Sequence, residues 1–153
     1  MLRGPNLWSR HTALEAIVSC DETERSIDSI PQFEIKIRER FPQLGSMRRG
    51  GHNETLSLAH ALEHAALGLQ SQAGCPVTFS RTVQTVDVGV YQVVVEYTEE
   101  VVGRMAFDFA FGLIQATLND VPFDLAAALS ELEALYEDVR LGPSTGSIVR
   151  SEE

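Results

Sequence analysis

Two histidines and a glutamate stand within five residues in HALEH, residues 60–64, where the other positions are alanine and leucine. On an α-helix, side chains four positions apart lie on one face a turn apart, so His60 and His64 are spaced to reach a single tetrahedral zinc ion. Glu63 lies three positions after His60 and projects toward the same edge. The pattern H-x-x-E-H is the inverted form of the H-E-x-x-H zinc-peptidase signature, whose glutamate is the general base. Zinc lowers the pKa of its bound water and polarises a carbonyl under attack, so the predicted chemistry is amide hydrolysis. Glu63 would take the proton from that water and pass it to the leaving amine.

Such a site needs a third protein ligand and an open fourth position. Glu96, Glu99 and Glu100 are the candidates; Glu100 is preferred because a helix presents it more rigidly than a strand end presents Glu96, the alternate. The competing reading is that helix histidines are simply solvated or satisfied by a neighbour. Against it, the flanking alanines leave room for an ion, and three of the four histidines, His52 included, fall within 13 residues.

The elements that must position these groups follow from periodicity. Ser9 is a plausible N-cap for a helix through Cys20, with Leu14, Ile17 and Val18 on one face. Pro31 opens a second helix carrying Phe33, Ile37 and Phe41, ended by Pro42. A glycine-rich loop, residues 45–53, leads to Asn53 as a cap for the histidine helix, expected from about Thr55 to Gln72. Its buried stripe is Leu58, Leu62, Ala65, Ala66 and Leu69, and Gly74 stops it. Residues 76–85 and 89–98 are rich in β-branched side chains around a short turn at Asp87–Gly89, which predicts an antiparallel hairpin. The VVV of the second strand suggests burial on both faces. A fourth helix runs from Glu99 or Glu100 to Leu118, with Met105, Phe109, Leu113 and Ala116 on one side. After the break NDVP, a fifth spans roughly Phe123 to Val139, with Leu125, Leu129, Leu132 and Leu135. The expectation is an α/β (α+β) domain over 1–140: a small antiparallel or mixed sheet packed against about five helices, with 141–153 as a linker or tail.

Composition bounds the function. At 153 residues the chain is about one domain, with 44% hydrophobic and 22% charged residues, ordinary for a soluble globular protein. It shows no run of 18 apolar residues and no signal-peptide pattern, so a cytoplasmic location is expected. Cys20 and Cys75 form no CxxC, and Cys75 is expected to pack as a small apolar side chain. The net charge of −10 repels nucleic-acid phosphates and anionic membranes and suits cationic partners.

Several segments together resemble the N-terminal domain of cyanophycin synthetases: LRGPNLWS (2–9), IPQF (30–33), LAHALEHAALGLQSQAG (58–74), GVYQVVVEYTEE (89–100) and LGPSTGSIV (141–149). Those enzymes build a polymer with an aspartate backbone and an arginine on each side-chain carboxylate. The resemblance implies a domain that holds the polymer beside ATP-grasp and Mur-ligase-like domains. In some members it also implies a metallopeptidase-like site that cuts polymer into primers. That would put zinc on His60, His64 and Glu100, with Glu63 as base, acting on cyanophycin or on an arginine-containing isopeptide. No phosphate-binding loop is present, so no ATP-dependent ligation is expected of this chain alone. The alternative is a non-catalytic module that binds polymer or docks onto ligase domains. Where the family commonly reads G-R-T-R, this chain has SRTV (80–83), keeping Arg81 and losing a second arginine. Arg81, Arg49 and Arg3 are the candidate substrate-binding residues, since a guanidinium pairs with carboxylates. A second copy of the chain is a further admissible partner.

Overall fold

Leu14, Ala16 and Val18 are buried while Ala13, Glu15, Ile17 and Ser19 between them are half-buried, the period-two pattern of a strand with one face on a core. The computed structural model describes the backbone of residues 6–10 and residues 12–27, 30, 32–44 and 56–141. Within them β1 (Asn6–Arg10) and β2 (Ala13–Ser19) form an antiparallel hairpin, with Ser9 opposite Leu14. The helix expected from Ser9 to Cys20 is therefore a correction. Leu14 and Val18 satisfy a spacing of four and a spacing of two equally well. Pairing with a partner strand decides between them, placing Leu14 beside Val95, Ala16 beside Val93 and Val18 beside Tyr91.

The remaining elements are α1 (Phe33–Arg40), a 3₁₀ turn (Pro42–Leu44), α2 (Leu58–Gln72), β3 (Ser80–Gln84), β4 (Val90–Glu96), α3 (Glu100–Asn119) and α4 (Leu125–Leu141). Four α-helices are thus described where about five were expected. The sheet has the order β1-β2-β4-β3, and every pairing is antiparallel. The expected hairpin is β3–β4. At its turn Gly89 has φ +80, and an added Cβ would lie 2.8 Å from the Cys20 carbonyl oxygen and 2.7 Å from the Arg25 guanidinium. Glycine meets both demands. Val93 and Val95 are buried but Val94 is half-buried, so β4 covers a core on one face, not two.

That core face receives α2 and α3. The α2 stripe is as expected, with Leu58, Leu62, Ala65, Ala66 and Leu69 fully enclosed. On α3 the buried face is wider than the expected one: Leu113 and Ala116 are buried as expected, Met105 and Phe109 are half-buried against the core, and Val102, Ala106, Phe107, Ala110, Ile114 and Thr117 are buried as well. The helix touches α2, the sheet and α1 at once, and that surround selects a wider face than one stripe. By length and composition α3 could also cross a membrane, but half of its apolar window is buried inside the fold. Asp120 ends it in the left-handed region, φ 57, within the expected break. Asp124 then caps α4, its Oδ1 accepting from Ala127 N–H at 3.0 Å, and Ala128 and Leu132 seat that helix. Cys75 is buried as expected, and Cys20, Tyr91 and Tyr97 are buried too. Trp8's side chain, Asn53 and the tail from 142 lie outside the described residues.

Two measurements test this frame. Ala16→Asp, which places a charge among core side chains, should cost about 3–5 kcal/mol or more. Ile17→Thr on the opposite face should cost under about 1.5 kcal/mol; the reverse order in urea unfolding would restore the helix. Burial pushes the Cys20 thiol from 9.0 up to about 11, against smaller opposing effects of a backbone hydrogen bond and Arg25. The folded form holds that proton after the unfolded form has lost it. Its stabilising effect is therefore complete below pH 9 and lost as pH rises toward 11, and a stability–pH profile flattened there by Cys20→Ala would show it.

Candidate functional site

The helix carrying the motif begins one residue after Ser57, whose extended backbone (φ −95, ψ 174) makes it the N-cap. Ser57 Oγ accepts from the His60 backbone N–H at 3.3 Å, and the Ser57 backbone N–H donates to His60 Nδ1 at 3.2 Å. This is a capping box in which histidine stands where glutamate or glutamine usually does. A backbone N–H can only donate, so the Nδ1 lone pair is engaged and the neutral ring carries its proton on Nε2. The ring also meets Tyr91 edge-on, with centroids 6.3 Å apart, and burial raises the Tyr91 phenol pKa.

Glu63 leaves the helix toward β3. Only 2% of it is exposed. Ser80 Oγ donates to its Oε2, and Thr82 Oγ1 donates to its Oε1 at 2.9 Å. The strand's period of two puts Ser80 and Thr82 on the same side, toward α2, with Arg81 between them on the other face. A carboxylate removed from water needs such donors, because an unsatisfied buried charge costs several kcal/mol. The two hydroxyls supply them and tie α2 to the edge of the sheet.

His64 turns a third way. Its Nε2 lies 3.2 Å from the Leu44 carbonyl oxygen in the 3₁₀ turn. The carbonyl only accepts, so Nε2 carries the proton and the lone pair sits on Nδ1. That atom is buried and has no hydrogen-bond partner among the described residues. A ring whose N–H is fixed by a backbone carbonyl while its other nitrogen keeps a lone pair is oriented as metal-binding histidines commonly are.

The expected third ligands are engaged elsewhere. Glu100 accepts from Arg104 Nε at 3.0 Å, a surface pair one helical turn apart with both side chains over 40% exposed. Glu96 accepts from the backbone N–H groups of Thr78 (2.8 Å) and Phe79 (3.0 Å). Among the described residues no three histidine, cysteine, aspartate or glutamate side chains come together to hold a metal ion. Zinc therefore fits His64 but not the set as it stands: His60 has spent its Nδ1 lone pair on Ser57, and both Glu63 oxygens face hydroxyls. Arg81 is exposed on β3. Arg3, Arg49 and His52 lie outside the described residues. The sequence reading missed Ser57, Ser80 and Thr82. The alternation S-R-T on an expected strand was the available signal, since it sets two hydroxyls on one face.

With this geometry in view, the likeness to known proteins is extensive. Residues 16–119 match the family model described as the cyanophycin synthase-like N-terminal domain. Cyanophycin synthetases from Trichormus variabilis and Geminocystis herdmanii are each 35% identical over 167 aligned positions, covering 99% of this chain and 18% and 19% of theirs. The one from Synechocystis is also 35% identical, over 97% of this chain and 19% of its own length. The chain thus spans about a fifth of the length of these relatives.

The tie between α2 and β3 has a direct test. Thr82→Val keeps the strand shape but removes one donor, and should cost about 1–3 kcal/mol in urea unfolding at unchanged m-value. An unaltered midpoint would mean that the hydroxyl does not satisfy Glu63.

Proposed function

The chain belongs to the cyanophycin synthase-like N-terminal domain family, and on that premise we propose that it is a non-catalytic module that binds cyanophycin polymer and presents it to ligase domains. The observation that carries this reading is the state of Glu63. A general base must reach a water near an open coordination position, whereas this carboxylate is buried with both oxygens accepting hydroxyl protons from β3. His60, in turn, caps its own helix. Both motif residues have structural partners that account for their presence.

The polymer's chemistry fits the charge of the domain. Its guanidinium groups are attracted by a body of net charge −10, an attraction felt within a Debye length of about 8 Å at physiological salt. Its carboxylates match Arg81, exposed on β3; Arg49 and Arg3 belong to the same proposal. The synthetase relatives' ligase activity, and docking onto such ligase domains, come to this chain only as part of it.

One observation favours a second reading, zinc-dependent hydrolysis of cyanophycin or of related isoaspartyl-arginine peptides to generate primers. It is the buried Nδ1 of His64, without a hydrogen-bond partner among the described residues, with Nε2 set against a backbone carbonyl. That reading requires His60 to release Ser57, Glu63 to release Ser80 and Thr82, and a carboxylate such as Glu100 or Glu96 to leave its present partners.

Elemental analysis after zinc reconstitution, cleavage assays and polymer co-sedimentation separate the two. The binding module should sediment with polymer, retain that affinity in chelator and release no peptide. Near-stoichiometric zinc with cleavage abolished by Glu63→Gln, metal retained, would replace it by the hydrolase.

A further inference from the structure

We infer that the outer edge of β3 is the docking line for an extended polypeptide strand bearing carboxylate groups, which adds to the sheet as a fifth strand. The inference rests on the binding-module reading and goes beyond it by naming where the polymer main chain lies and how it is held.

The ladder shows which groups are available. Phe79 carbonyl accepts from Glu96 N–H at 2.9 Å, and Thr85 N–H donates to Val90 carbonyl at 2.9 Å. The register between them runs from Ser80–Val95 to Gln84–Tyr91. Antiparallel pairs alternate, so odd-numbered residues bond to β4, and the N–H and C=O of Thr82 and Gln84 point away from the sheet. β3 is the last strand in the order, and no described strand pairs with that side.

Such an edge would ordinarily fray. Here the residues whose main chain faces outward are held from the core side, because Ser80 and Thr82 give their hydroxyls to the buried Glu63. The edge is thereby held straight and ready before anything binds, which lowers the ordering cost of strand addition.

Charge decides the occupant. Residues 78–86 carry one charged side chain, Arg81, in a chain of net charge −10. Its guanidinium has no hydrogen-bond or ion-pair partner among the described residues. Phe79 and Val83, 50% and 40% exposed, flank it on the same face. In a strand added antiparallel, the residue opposite Arg81 falls at a narrow, non-hydrogen-bonded pair, Cα atoms about 4.5 Å apart, where side groups meet closely. A carboxylate there gains a charge-assisted pair. A second copy of β3, centred on Thr82, would instead bring two Arg81 side chains together on one face between two acidic bodies. Edge charge thus disfavours self-pairing and favours a strand that sets a carboxylate opposite Arg81.

Two variants test this, with solubilised cyanophycin as the probe and titration calorimetry as the readout. Gln84→Pro removes an outward N–H without breaking a bond to β4, and proline is tolerated on a sheet edge. Arg81→Glu reverses the exposed charge. Each should weaken polymer binding about tenfold or more at unchanged melting temperature. Should Gln84→Pro not fold, Arg81→Glu decides alone. Wild-type binding that both folded variants retain would overturn the edge while leaving the binding module intact. No wild-type binding would overturn that module and the edge together. A wild-type dimer dissolved by Gln84→Pro would give the edge to a second copy and overturn the inference.

Discussion

A carboxylate almost wholly removed from water can stay charged only where donors surround it, and Glu63 draws them from the outermost strand of the sheet. Much else in the domain depends on this. The bond pair ties one face of α2 to β3. The apolar stripe of the same helix enters the core, His64 reaches the 3₁₀ turn at Leu44 and His60 reaches the helix start. It also fastens β3, whose strand neighbour among the described residues is β4.

The same constraint separates three residues that a linear motif holds together. Successive residues on a helix are about 100° apart, so Glu63 and His64 leave α2 in different directions even though they are neighbours in sequence. One meets a strand and the other the 3₁₀ turn, while His60 folds back onto Ser57. A pattern with the spacing of a metal site is thus distributed over three structural duties, and only His64 keeps a nitrogen lone pair in reserve.

Cores and edges ask different things of this chain. Inside, Ala59, Ala61, Ala65, Ala66, Ala106 and Ala110 are fully buried on α2 and α3, where small side chains let packed elements come close. At the sheet's edge, β3 sets exposed Arg81 between the partly exposed Phe79 and Val83.

The sequence by itself determined the histidine helix, its apolar stripe, the β3–β4 hairpin with Gly89 at its turn, and the break before α4. Each rests on local physics: helical spacing, β-branched runs and a glycine at positive φ. Tertiary structure alone decided that residues 13–19 are a strand, because Leu14 and Val18 fit both periods until Val95 and Tyr91 stand beside them. It likewise decided the direction of Glu63. Two hydroxyls seventeen and nineteen residues downstream compete for that carboxylate. Spacing within the motif carries no information about partners that only chain folding brings into reach.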